Sequence, residues 1–261
     1  MVRYLKVFWI QFKFHTTKTL SFRFTFLLAV FGSFCFIALY YFTFLFLLAK
    51  VSFANWSTSE MWVMLGCFIV VVYGFFMFFY RPLLVYTDAI HTGGLDTFLL
   101  KPIDTQFLFA SCGGGIHNLL SIFFGLGLIY LGVNSLSYSV SFISITGMAV
   151  SLLISMINLF SLVFLLLTFA FKLGYTDGLV ALVIKFQDFM KFPIDAYRHI
   201  PAYLLMFAIP FSLLTTIPVL VLLNKPYALE LFLGYGFGSL CFVVLVRQTF
   251  TYLLREYSSG S

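Results

Sequence analysis

Long apolar runs separated by short polar connections set the pattern of this chain. Phe24–Ala49 carries no charge between Arg23 and Lys50, and Met61–Tyr80 is again uncharged. About 20 apolar residues cross a hydrocarbon core of about 30 Å, so these runs predict the first two spans. A third is predicted near Gly113–Val133, a fourth from about Phe142 to Phe171, and a last one over about Ala228–Val246. Ahead of them, residues 2–14 place Arg3, Lys6 and Lys13 on one helical face and Leu5, Phe8, Trp9 and Phe12 on the opposite one. That periodicity predicts a helix lying in the membrane interface, basic side toward the headgroups.

The last third admits two readings. Pro193, Pro201, Pro210, Pro218 and Pro226 are five of the chain's seven prolines, and proline kinks or ends helices. In the first reading, 172–202 is a cytoplasmic loop and Tyr203–Leu223 is a kinked fifth span. In the second, 174–191 is the fifth span and 199–223 dips into the outer leaflet as two half-helices broken at Pro210. Both readings give six spans and cytoplasmic termini. The first leaves only Lys50 and Lys225 outside; the second adds Lys191 and Arg198 outside and puts Lys185 within a span. The tendency of cytoplasmic loops to hold Lys and Arg fits either and prefers the first.

Composition agrees with the pattern. The chain is 62% hydrophobic and 9% charged with a mean hydropathy of +1.06, where soluble domains are nearer a quarter charged. The net charge of +6 sits beside the apolar runs, not on a soluble face, which excludes a nucleic-acid-binding reading. Cys35, Cys67, Cys112 and Cys241 lack C-x-x-C spacing, so no zinc site or disulfide framework is expected. His15, His117 and His199 have no metal spacing either. Arg3, Lys6, Lys13, Lys18 and Arg23 leave no apolar core for a cleavable signal peptide before residue 24.

Against this background the segment 81–112 is a polar island. Asp88, His91, Asp96, Lys101 and Asp104 crowd into it between uncharged runs. Such a loop would be costly in lipid and must lie at a membrane face. His91 and Asp96 match H-x-x-x-x-D, the base-and-orienter pattern of glycerolipid acyltransferases, so a membrane-bound acyl or lipid transferase is one expectation. Gly113-Gly114-Gly115 is not a phosphate loop, because no Lys-Ser/Thr follows it; small residues admitting close packing are the plainer reading. Lys185 and Asp188 are a possible intramembrane pair. No other Asp, Glu, Lys or Arg lies deep in an apolar run, which argues against an ion-coupled carrier.

Gly94-Leu95-Asp96-Thr97-Phe98-Leu99-Leu100-Lys101-Pro102 resembles the G-x-LD-x-LL-[RK]-P loop signature of a subgroup of ATP-binding-cassette (ABC) type-2 permeases. Phe192-Pro193 through Tyr197, then Ile209-Pro210 and Ile217-Pro218, resemble its YP-x-x-x-[YF]…IP…P run, and Arg255 through Gly260 its R-x-Y-S-S-x-G ending. The resemblance implies an all-α integral membrane permease in a single domain over 1–261. Its parts would be an interfacial helix (1–23), two spans (24–80), a cytoplasmic coupling loop (81–112), and spans three and four (113–171). A fifth span, a re-entrant pair and a sixth span (172–246) and a cytoplasmic tail (247–261) would follow. It implies a multi-pass protein of a bacterial inner or plasma membrane, working as a homo- or heterodimer with a cytoplasmic ATPase dimer. ATP and Mg would be held by the ATPase, and this chain would need no cofactor or metal. Residues Asp88, His91, Gly94, Asp96, Lys101, Pro102 and Asp104 are expected to meet the ATPase, and Pro201, Pro210 and Pro218 to break the re-entrant segment.

Overall fold

The computed structural model describes residues 2–50, 53, 56–111, 113–136, 140–169, 177–197 and 202–255, with the side chains of 2, 91, 177, 179–180 and 202–209 outside that description. Among the described residues it is entirely helical. Helix α1 (Val2–Ser21) precedes α2 (Arg23–Leu48), and α3 (Thr58–Phe75) passes through a π-helical turn (Phe76–Tyr80) into α4 (Arg81–His91). Short helices α5 (Leu95–Leu99) and α6 (Thr105–Ser111) follow, then a 3-10 turn (Ile116–Asn118) opening α7 (Leu119–Asn134). Next come α8 (Phe142–Thr168), α9 (Asp177–Phe186), 3-10 turns at Gln187–Lys191 and Ile194–Tyr197, α10 (Ala202–Leu222) and α11 (Ala228–Leu254).

Among the described residues, five helices are long and apolar enough to cross a membrane: α2, the run Thr58–Ile90, Ile116–Asn134, α8 and α11. The second differs from its expected end at Tyr80. It continues ten residues into the polar island, and 33 helical residues measure about 50 Å at 1.5 Å each, longer than the hydrocarbon core. The π turn explains how the helix survives Pro82, which has no N–H to return to the preceding turn. The Met77 carbonyl takes the N–H groups of Gly114 and Gly115 instead, at 3.3 and 3.1 Å.

The core sits on α3. A Cβ on Gly66 would lie 2.6 Å from Ile129 and 2.7 Å from the Gly125 carbonyl, and one on Gly132 would lie 2.9 Å from the Ser59 carbonyl. Small residues thus bring the α3 and α7 backbones together, the packing that substitutes for a hydrophobic driving force inside lipid. Where α3 begins, Ser57 and Glu60 form a reciprocal capping box. Glu60 also binds Lys225 at 3.0 Å, and that ammonium lies 4.0 Å from the Trp56 ring centre. These contacts tie the entry of α3 to the α10–α11 turn.

The last third matches neither reading in full. Phe192 stacks on Phe44 and Phe53, and the Trp56 indole donates to Asp195 at 3.3 Å. Residues 192–195 therefore share an end with the α2–α3 connection, opposite the polar island, whereas the first reading put 172–202 on the polar island's side. The expected half-helices are corrected too: α10 is one helix running through Pro210 and Pro218. The Leu214 carbonyl, which lacks its helical partner because of Pro218, takes the Ser155 hydroxyl at 2.7 Å, while Thr215 donates to the Met190 carbonyl at 2.6 Å and Ser212 to that of Phe192 at 2.9 Å. Helices α8 and α10 are antiparallel, since a Cβ on Gly147 would meet Val221 and the Ser155 hydroxyl donates to the Leu214 carbonyl. Pro201, His199 and the tail 256–261 lie outside the described residues.

Candidate functional site

The polar island is a rigid bracket more than a loop. Tyr86, fully buried on α4, stacks 5.0 Å from Phe164 of α8, lies 4.7 Å from Phe109 of α6, and donates to the Thr168 hydroxyl at 3.4 Å. Asp88 is exposed. The chain turns at Gly93, whose φ of 69° is the left-handed conformation that favours glycine after a helix end. Gly94 then precedes α5 in an ordinary right-handed conformation.

Helix α5 is pinned by its inner face and bare on the other. Leu95 is fully buried and Phe98 packs 4.7 Å from Phe109. Thr97, Leu99, Leu100, Lys101 and Pro102 are exposed, and Asp96 is half-buried in the first turn. The Lys101 ammonium lies 4.6 Å from the Phe98 ring centre, which keeps a long side chain close to the surface. Leu100 is 85% exposed, an apolar residue beside a cation on a rigid ledge. Attention to charge in the sequence passed over Leu99 and Leu100; the paired leucines of the loop motif were the available signal. His91 ends α4, but its side chain lies outside the described residues, so its relation to Asp96 is a matter of sequence alone.

Asp104 is turned inward. Its Oδ1 accepts the Phe107 N–H at 2.9 Å, starting α6, and both carboxylate oxygens take the Arg247 guanidinium of α11. Arg247 also donates to Gln106 at 3.2 Å. Asp104 is thus a strut between the bracket and the last long helix. A bidentate pair of this geometry resists reorientation better than a single-point lysine contact.

Helix α1 lies across the base of the bracket. Tyr4 packs edge-on to Phe107, Phe12 stacks with Phe78, and Ser111 donates to Gln11. A Cβ on Gly114 would lie 2.5 Å from that of His15, and Thr19 donates to the Gly114 carbonyl at 3.3 Å. A Cβ on Gly113 would strike the Phe78 carbonyl. The triple glycine thus serves close packing on two sides, docking one strand of backbone between α1 and the π turn. Burial there, with the nearby charges of Arg81 and Lys18, holds the His15 imidazole below its ordinary pKa.

Asp188 pairs with Lys191 at 2.7 Å, not with Lys185, which is exposed. The Lys191 ammonium also lies 4.1 Å from the Tyr40 ring centre. Asp188 borders a cavity of about 440 Å³ between α2, α3 and α9, lined among others by Tyr40, Tyr73, Arg81, His117 and Gln187. Gln187 is 4% exposed and its Nε2 has no hydrogen-bond partner. No group of His, Cys, Asp and Glu among the described residues could hold a metal ion.

A family model described as "ABC-2 family transporter protein" matches residues 34–261. No curated protein and no solved structure matches the chain.

Proposed function

Because the chain belongs to the ABC-2 transporter family, a family of membrane transport components that implies an ABC system with an ATPase partner, we propose that it is the permease subunit of an ATP-driven exporter. The ATPase is a separate cytoplasmic dimer carrying the ATP and Mg, and two permeases, identical or related, line the route. The ATPase docks on the exposed face of α4–α5, with Asp88, Asp96 and Lys101 as polar contacts and Leu99 and Leu100 as the apolar centre. Gly94 and Pro102 bound that face. The observation that carries this reading is the mounting of α5: it is bare outward, yet joined inward to α4, α6, α8 and α11 through Tyr86, Phe109 and Asp104. A push on it is passed to long helices as a rigid-body movement. Helix α1, seated on the same base, moves with it.

Two outcomes test the reading. Charge reversal at Asp96 and Lys101 together abolishes co-purification with the cognate ATPase while the permease stays folded; retention of the ATPase by that variant contradicts docking there. Topology has its own test. A cysteine at Asp195 reacts with an impermeant reagent from outside the cell, and reaction only from the cytoplasm eliminates the arrangement.

A further inference from the structure

We propose that the groove between α8, α10 and α11 binds a membrane amphiphile with a cationic, hydrogen-bond-donating head, a primary amine on a hydrocarbon tail. The groove encloses about 630 Å³ and is walled by Leu162, Leu213, Ile217 and Leu231. Gly234 and Gly238 border it, and nothing lies within 4 Å of where their Cβ atoms would be. Because α11 is buried over only 6% of its most apolar window, a tail enters sideways from the lipid.

The polar atoms in this apolar trough point to the head. Asn158, 8% exposed, donates from Nδ2 to Ser239 at 2.7 Å, and Ser239 donates onward to the Tyr235 carbonyl at 2.6 Å. The Tyr235 hydroxyl bonds Ser155 at 2.8 Å and also interacts with the Asn158 amide. Ser155 itself donates to the Leu214 carbonyl at 2.7 Å. The network thus leaves one buried atom without a partner, the acceptor Oδ1 of Asn158. Such an atom is rare in a folded interior and calls for a donor. Glu230 lines the same groove on the face of α11 that carries Gly234 and Gly238. It makes no ion pair among the described residues, and its place in the first turn of α11 is where the helix dipole favours a carboxylate. No lysine or arginine lines the groove. An ammonium donating to Asn158 is also attracted, through the apolar trough, by the Glu230 carboxylate about two and a half turns away along α11; an alcohol answers only Asn158, and a fatty carboxylate is repelled by Glu230.

The test uses the full-length permease in phosphatidylcholine nanodiscs without any ATPase, so its failure leaves the coupling reading untouched. Radiolabelled dodecylamine, dodecanol and dodecanoate are titrated side by side. Saturable binding of the amine, at least tenfold tighter than that of the alcohol and absent for the acid, is expected. Glu230→Gln, at an exposed site with unchanged melting temperature, brings the amine to the level of the alcohol, and Gly238→Leu fills the groove and removes saturable binding. Equal partitioning of the three probes overturns the proposal, as does an unaffected Glu230→Gln. So does efficient disulfide formation between Gly238→Cys copies in membranes, which assigns the groove to a protein neighbour instead.

Discussion

Helices α3 and α11 are both long, apolar and glycine-bearing, yet their surroundings are opposite. The most apolar window of the α3 run is 78% buried, and that of α11 is 6% buried. In α3, Gly66 faces Gly125 of α7 so closely that a Cβ would strike carbonyl oxygen; Gly234, Gly236 and Gly238 of α11 have nothing within 4 Å. Hydropathy reports only the solvent a helix tolerates. Glycine reports close approach only once its neighbour is known. One seam is closed within the chain, and the other is open on the surface of the chain.

The largest effect that would break this contrast comes from the closed seam. Gly66→Leu should lose about 3 kcal/mol or more of stability, because the side chain must displace backbone and not a flexible tip. Gly236→Leu should change stability by less than about 0.5 kcal/mol, as an open surface site does. Thermal unfolding in detergent measures both, and equal losses would erase the distinction between the helices.

Smaller effects sharpen it by locating what holds the ends of the long helices. Ser57→Ala removes half of the capping box at the start of α3 and should cost about 1 kcal/mol. Arg247→Ala frees α11 from the bracket. Since that pair is partly exposed, with side-chain exposures of 45% and 30%, its stability cost should be no more than about 1 kcal/mol. Its main expected consequence is an α11 that no longer follows α5, read as an ATP-dependent distance change between spin labels at Thr97 and Leu245 that is absent when Arg247 is present.

The smallest effect is a pH dependence at α1. The folded-state pKa of His15 is depressed, so the unfolded or undocked state binds the proton more readily. The stabilisation of docked α1 is complete above the ordinary imidazole value of about 6.5 and is lost as pH falls through the lower folded value. Proteolysis of α1 should accelerate on acidification, and His15→Gln should flatten that response.

Much of this was legible in the residues. The apolar runs located five long helices and the starts of most of them to within a few positions, because length and lack of charge are sufficient signals in a membrane, but the second and last run on ten and eight residues past their expected ends. The triple glycine was readable as a packing device. Other features depend on partners distant in sequence. Asp104 meets Arg247 across 143 positions and Asp195 meets Trp56 across 139, and no local pattern encodes such pairings. Pro210 misled for a related reason: a proline marks a missing donor, but whether the helix stops depends on what else can satisfy the freed carbonyl, as the passage of the α3 run through Pro82 shows. At Met77 the glycine N–H groups do so, and the helix continues. Asp188 was assigned to Lys185 by spacing, whereas Lys191 offers the same three-residue interval on the other side and has the Tyr40 ring to hold it.

Docking of the ATPase on α5 is tested most directly by a photocrosslinking amino acid placed at Thr97, exposed at the centre of the bracket, with Tyr227 at the opposite end as control. In membranes containing both proteins, illumination should join position 97 to the ATPase and leave position 227 without an adduct. An ATPase adduct from 227, or none from 97 while the two proteins remain associated, would contradict the account.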